Sequence, residues 1–437
     1  MSLAAAGSAP GSPAPARLSG ASPVPDMALA ESLFAQLRAD SGDGVGITRD
    51  AYGAGEQGAH DLIARTARGL GLEVTHDAAA NLYVTLPGRD RQAPRVMTGS
   101  HLDSVPQGGN YDGAAGVVAG LAVLAGWVRA GFTPATDVVV MGVRAEESTW
   151  FPYSYLGSKA AFGLVSRDAL QLKRSDTGRP LADHLAECGG DPARFGEAWL
   201  MPTRVARFVE LHIEQGPVLV DEGLPTGIVT GIRGSLRYRD ARVLGAYAHS
   251  GAAPRANRHD AVRAAALLIA AVDRDWEAME QAGDDLVVTF GKLFTDPRQH
   301  AFSKVAGEVG LCVDARSLHA QTLDRFDAQF ADRVTQIADL ARVRFELGER
   351  TGSDPAAMDE RIRTELLASA RSHGIPTREM ASGAGHDAAV FAQLGIPAGM
   401  VFVRNDRGSH NPDEKMDMAD FALGTRLLAD VLCPPQH

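Results

Sequence analysis

Residues 98–116 read TGSHLDSVPQGGNYDGAAG, and the fold is decided there. A short apolar strand, Arg95–Thr98, runs into His101 and Asp103. A glycine-rich turn follows, and Asp112 stands where a helix begins. That helix, Gly113–Arg129 (GAAGVVAGLAVLAGWVR), is apolar almost all round, the pattern of a helix buried against a sheet. Outward from it the same alternation recurs. Asn81–Leu86, Asp137–Val143, Phe208–Ile213 and Val401–Val403 read as strands between Ala-rich helical stretches. Asp137–Val143 (DVVVMGV) is nearly continuous in apolar residues, as expected for a strand covered on both faces. The expected class is α/β: a mixed, largely parallel sheet with helices on both faces.

The middle of the chain breaks this pattern. From about Ile232 the strands alternate: Leu236–Leu244, Leu286–Phe294 and Glu308–Ala315, with long helices over Ala261–Ala282 and Leu323–Ala341. A β-α-β-β-α order of this length reads as an α+β unit inserted into the first. The expected division is a tail over 1–26, a main domain over 27–231, the inserted unit over 232–346, and the main domain again over 347–437. The tail is rich in Ala, Gly, Ser and Pro, a composition that offers little apolar area to offset its ordering entropy. Order is expected from near Leu29, with Pro434-Pro435 ending the last helix.

Composition excludes several classes. Of 437 residues, 45% are hydrophobic and 22% charged, which is globular rather than disordered or fibrous. No apolar run approaches the ~20 residues that span a bilayer, so no membrane partner is expected. The 43 basic and 54 acidic residues give a net charge of -11, against the basic excess of a nucleic-acid binder. Cys188, Cys312 and Cys433 are odd in number and far apart, which fits a reduced cytoplasm better than a disulfide framework.

Ligands of open parallel sheets bind outside the carboxyl ends of the strands, where His101 and Asp112 fall. Imidazole and carboxylate are ligands of Zn²⁺ and related cations. Asp103, two residues on, is placed to accept the other ring N–H of His101. Glu146-Glu147 follows the most apolar strand; one carboxylate is free to bind metal while the other meets water. His212 (ELHIEQGP) and His410 (GSHNPDE) are each weak alone: a strand histidine is usually a core residue and a loop histidine merely exposed. Together, three histidines, two carboxylates and a spare Glu suffice for two cations sharing one carboxylate, with a base for bound water.

These residues resemble the dinuclear metal amidohydrolases of the M20 peptidase clan. More narrowly they resemble its hydantoinase/carbamoylase group: N-carbamoyl-L-amino acid hydrolases, β-ureidopropionases and allantoate amidohydrolases. The matching pieces are GSHLDSVPQGGNYDG, Glu146-Glu147, LGSKA, ELHIEQGP, AHSGAAP, DARSLH, SGAGHDA and GSHNPDE, in the family's order over roughly 98–415.

The resemblance implies His101, Asp112, Glu147, His212 and His410 as ligands of two divalent ions, with Asp112 bridging. Zn²⁺ is the first expectation, and Mn²⁺, Co²⁺ and Ni²⁺ suit the same donors. It implies Glu146 as general base and Asp103 as the group orienting His101. The inserted unit becomes a lid and homodimerisation domain, and His249 reaches a partner's site to stabilise the oxyanion. Gln215, Arg316, Gly385 and His386 match substrate-contacting positions, with Arg316 suited to a substrate carboxylate.

Three departures touch substrate recognition: EESTWF after the paired glutamates, Ser303 where an Asn usually helps Arg316, and Ala-Ala-Pro-Arg after His249. The expected activity is hydrolysis of a linear amide or ureido C–N bond in a small carboxylate-bearing molecule, such as an N-carbamoyl-L-amino acid or allantoate. The alternatives are an N-acyl amino acid deacylase or dipeptidase of the same clan, and an inactive binding homologue. The aromatic run Trp150, Phe151, Tyr153 and Tyr155 reads either as pocket wall or as core.

Overall fold

In a strand, successive side chains face opposite ways, so a strand apolar throughout must be covered twice. The structure, a computed structural model, describes residues 22–433. In it Val138–Val143 is wholly buried: Val138 and Val140 join one core cluster, and Val139, Met141 and Val143 another. Ala398–Val403 divides likewise, Val401 and Val403 to the first cluster and Met400 and Phe402 to the second. The helices Met27–Ser41, Ala54–Gly69, Ala114–Arg129, Glu360–His373 and Met418–Leu432 cover the first face. Ala388–Gln393 and the end of Leu156–Ala161 cover the second.

The sheet has nine strands. Its order begins Glu73–His76, Leu82–Leu86, Val138–Val143, Arg95–His101, Val205–Ile213, Ala398–Val403 and Thr226–Ile232. Ala356–Ala357 and Thr377–Ser382 both pair with Thr226–Ile232. Four neighbours in the middle, Val138–Val143, Arg95–His101, Val205–Ile213 and Ala398–Val403, run parallel. Their carboxyl ends therefore open on one edge of the sheet. Ala114–Arg129 lies directly on the sheet backbone: a Cβ at Gly116 would stand 2.4 Å from the Leu211 carbonyl oxygen.

A second, antiparallel sheet of five strands holds Gly234–Leu244, Val287–Thr295, Glu308–Ser317, Arg344–Glu346 and Arg350–Ser353. The helices Ala261–Gln281 and Ala320–Ala341 pack on it around a core of their own. Ile232 still belongs to the nine-stranded sheet, and Arg350–Ser353 pairs with Gly234–Leu244. The second sheet thus runs past residue 346, where the sequence reading returns to the main domain. The RTGS segment that extends it has no apolar alternation to announce a strand.

Residues 1–21 and Pro434-Pro435 lie outside the described residues, and the last helix ends at Leu432. The tail reading does not hold for residues 22–26. Ser22 Oγ donates to Asp430 (2.7 Å), the Asp26 N–H donates to the Ala122 carbonyl (2.9 Å), and the Asp26 side chain caps the first helix at Leu29 N. Composition registers the missing apolar area there but not these polar anchors. Among the described residues no helix is long and apolar enough to cross a membrane, and the three cysteines are free.

Candidate metal centre

The parallel strands deliver the chemistry to their common edge. His101 is the last residue of its strand, Glu146 and Glu147 follow Val143, and His212 and Gln215 end or follow Val205–Ile213. His410 lies in the loop after Ala398–Val403, and Asp112 precedes the buried helix. Residues scattered over some three hundred positions meet because four strand ends do.

Asp112 is the hub. Its Oδ1 faces His212 Nε2 at 3.2 Å and His101 Nε2 at 3.7 Å. Its Oδ2 faces His410 Nε2 at 3.2 Å, and His410 Nε2 lies 3.0 Å from Glu147 Oε1. Two donor groups form on opposite oxygens of one carboxylate: His101, Asp112 and His212, and Asp112, Glu147 and His410. Ligands about 2.1 Å from a tetrahedral ion stand about 3.4 Å apart, close to these separations. Asp112 Oδ1 is buried without a hydrogen bond, an unsatisfied acceptor that a cation would satisfy. The donor set and the orphaned oxygen fit metal.

Both buried imidazoles are aimed by backbone carbonyls. His101 Nδ1 meets the Asp103 carbonyl at 3.0 Å and His212 Nδ1 the Ile213 carbonyl at 2.9 Å. A carbonyl only accepts, so each Nδ1 carries the proton and each Nε2 is turned toward Asp112. Burial pushes the Asp112 carboxyl upward, but the close approach of the His212 and His410 imidazoles holds it well below the usual carboxylate range. Hydrogen bonds to Asp112 and then Glu147 push His410 up to about 10.

Burial, and then the nearby Glu147, Asp387 and Asp103 carboxylates, push the Glu146 carboxyl well above its ordinary value against the pull of His101. Its position is built. The Asp103 carboxylate, expected mainly to orient His101, accepts the N–H groups of Glu146 (3.0 Å) and Glu147 (3.1 Å) and lies 3.4 Å from His101 Nδ1. One step back, Ala145 holds φ +49°, and its N–H donates to Glu56, whose other oxygen pairs with buried Arg144 (2.9 Å). Tyr155 (φ +60°), Gln215 (+63°) and His410 (+60°) share the left-handed conformation, which non-glycine residues rarely adopt outside over-determined sites.

A cavity of about 490 Å³ opens over the two groups. It is lined by all five candidate ligands and by Glu146, and also by Gln215, Arg316 and Gly385. Gln215 Nε2 donates to Asp112 Oδ2 (3.0 Å), and Arg316 is held by the Gly383 carbonyl (2.7 Å) and Asp314 (3.0 Å). His386 is placed differently from the substrate contact expected of it. It is 1% exposed, hydrogen-bonds Ser382 Oγ (2.9 Å), and lies edge-on to the His212 ring at 4.4 Å, supporting that ring from behind. His249 is exposed and does not line the cavity of its own chain; its Nδ1 accepts from Gly251 N and Ala252 N. The aromatic run divides: Tyr153 and Tyr155 line the cavity, and Trp150 and Phe151 are core.

Sequence reasoning missed the supports and part of the rim. Ser409 Oγ donates to Asp112 Oδ2 (2.8 Å) and contacts buried Glu414, which accepts the Tyr111 N–H (2.8 Å). Arg49, wholly buried, donates to the Leu102 carbonyl and fixes the loop that carries Asp103 and Asp112. Arg237 and Lys159 complete the rim. Ser409 and Glu414, inside the GSHNPDE segment, and Lys159, inside LGSKA, carried a signal that could have found them.

Gly113 is fixed by geometry. Its φ is +64°, and a Cβ there would stand 2.5 Å from the His101 ring. Gly113→Ala is expected to displace His101 and abolish metal uptake at that group, checked by metal analysis of the purified variant. Full metal content would show that the ring has room.

The sequence profile of Peptidase family M20/M25/M40 matches residues 97–433. The chain is 35% identical over 384 residues to an N-carbamoyl-L-amino acid amidohydrolase of Geobacillus stearothermophilus, covering 88% of this chain and 92% of that protein. It is 33% identical over 365 residues to the allantoate amidohydrolase of Escherichia coli K12, covering 83% and 86%. Among solved structures, an amidase of the hydantoinase/carbamoylase family from Burkholderia multivorans superposes with a TM-score of 0.86 at 28% identity, covering 95% of this chain and 98% of that one. With the profile spanning most of its length and such relatives along nearly all of it, this chain belongs to Peptidase family M20/M25/M40.

Proposed function

We propose that the protein is a dinuclear metal-dependent amidohydrolase that cleaves a linear ureido or amide C–N bond in a small carboxylate-bearing substrate. The first candidates are N-carbamoyl-L-amino acids, then related ureido acids such as allantoate. The observation that carries this is the Asp112 carboxylate, each oxygen facing its own group of imidazole and carboxylate donors. The relatives named for N-carbamoyl amino acids and allantoate support the substrate class.

His101, Asp112 and His212 would hold one ion, and Asp112, Glu147 and His410 the other. Such ions, when bound, polarise the substrate carbonyl and acidify water. Glu146, buried and proton-hungry, takes a proton from the attacking water and passes it to the leaving nitrogen. Arg316 holds the substrate carboxylate with parallel N–H bonds, and Gln215 orients the substrate beside Asp112. A carbamoyl substrate plus water yields the amino acid, carbon dioxide and ammonia.

The subunits act in pairs. Leu293 and Phe294 are 53% and 59% exposed on the edge strand Val287–Thr295, where a second copy would pair, and His249 is exposed and outside the lining of its own cavity, as a residue serving a partner's site would be. Cytoplasmic placement accords with the free cysteines.

The test is a panel of N-carbamoyl-L-amino acids, allantoate and N-acyl amino acids, each with Zn²⁺, Mn²⁺, Co²⁺ or Ni²⁺. Ammonia release from a ureido compound is expected. Cleavage of N-acyl amino acids alone would make the protein a deacylase. Arg316→Lys is expected to lower kcat/KM for carboxylate substrates by about tenfold or more, because an ammonium cannot make the two-pronged contact. Equal losses on amide analogues lacking the carboxylate would remove Arg316 from substrate binding.

A further inference from the structure

Two cavities meet at Lys159. The one over the metal centre ends there, and a second of about 370 Å³ opens beyond it between the two sheets; Tyr155, Lys159, Gly352 and Ser353 line both. The arginines in these walls are matched by carboxylates. Arg233 pairs with Asp285 (2.5 Å), Arg350 with Asp327 (2.8 Å), and Arg237 (3.4 Å) and Arg316 (3.0 Å) share Asp314. The Lys159 ammonium has neither an ion pair nor a hydrogen bond to any described residue. Its Nζ lies instead 5.2 Å from the Tyr153 ring centre and 5.4 Å from that of Tyr155. Burial lowers its pKa, with no carboxylate opposing the shift.

The charge arithmetic has a chemical consequence. Two guanidinium groups sharing one carboxylate leave one positive charge at Arg237 and Arg316, enough for one substrate carboxylate. The Lys159 ammonium is a second positive point on the same cavity wall. An apolar substrate side chain set against it would strip its remaining water and return nothing. An anionic group would return a charge-assisted hydrogen bond.

We propose that Lys159 receives a second anionic group of the substrate, so that the protein prefers ureido acids with a carboxylate side chain over those with an apolar one. This rests on the hydrolase reading above and narrows its substrate class.

The test compares kcat/KM of the metal-loaded wild type, K159M and K159R for N-carbamoyl-L-aspartate and N-carbamoyl-L-glutamate with that for N-carbamoyl-L-alanine. The wild type is expected to favour a diacid. The diacid-to-alanine ratio is expected to fall about 10- to 100-fold in K159M, mostly through KM, and to recover largely in K159R. An unchanged ratio in K159M, or a wild type that favours the alanine compound, overturns the proposal, and the wild-type comparison stands even if K159M folds poorly. A wild type that turns over none of the three leaves the hydrolase reading without support instead. Calorimetry with glutarate then decides: binding at least about tenfold tighter to wild type than to K159R's apolar counterpart K159M supports the anion site, and equal binding overturns it.

Discussion

Replacing Glu146 by Gln is expected to reduce turnover by about 10²- to 10⁴-fold and to leave the metal content unchanged. The substitution keeps the shape of the side chain and removes its capacity to take a proton. Glu146 stands outside both donor groups, so its loss removes no ligand. Its backbone N–H is anchored by Asp103, so the turn keeps its form. Burial first, then three neighbouring carboxylates, raise its proton affinity. That is the poise needed by a group that must gain a proton from water and give it up to a leaving nitrogen. The check is steady-state turnover alongside metal analysis. Near-normal turnover with full metal would pass the proton transfer to another group; loss of metal would make Glu146 a ligand.

Asp112→Asn carries the second large effect. Both oxygens of Asp112 are committed, Oδ1 toward His101 and His212 and Oδ2 toward His410, Gln215 and Ser409. An amide in its place presents one acceptor oxygen and an NH₂ group that only donates, and that group would face imidazoles or a cation. Groups that merely support metal ligands change affinity by about 10- to 100-fold, so losing a shared ligand should exceed that range at one position at least. Activity should fall below detection. Metal titration followed calorimetrically would read this directly: two binding events in the wild type, and one or none in the variant. Two undiminished events would show that Asp112 bridges nothing.

The legible part of the fold was the part written in periodic apolar residues. Five strands of the main sheet (Leu82–Leu86, Arg95–His101, Val138–Val143, Val205–Ile213 and Ala398–Val403), its buried helix Ala114–Arg129, and the second sheet around Leu236–Leu244 and Glu308–Ala315 follow from apolar runs, alternation and helical spacing, because burial on one or two faces leaves that imprint. Thr226–Ile232 (TGIVTGI) and Arg350–Ser353 (RTGS) leave little: glycines and small polar residues interrupt the first, whose Ile228, Val229 and Ile232 still pack in the core, and make up most of the second. The same distinction runs through the site. His101, Asp112, Glu147, His212 and His410 stand in conspicuous segments at strand ends, so a sequence reading can nominate them. Arg49, Glu56 and Arg144 carry no signal of their own, although Arg144 follows a conspicuous strand, and act through backbone carbonyls, N–H groups and an ion pair that only three-dimensional proximity reveals. His386 marks the opposite error: a histidine in a recognisable SGAGHDA segment sits behind the His212 ring rather than facing the cavity.

The most direct measurement is the position of bound metal, by anomalous diffraction at the metal absorption edge from crystals grown with Zn²⁺ or Mn²⁺. Two peaks are expected, flanking the carboxylate at position 112, one within reach of the imidazoles at 101 and 212 and the other beside the side chains at 147 and 410. A single peak, none, or ions held elsewhere would contradict the dinuclear cage on which the hydrolytic reading stands.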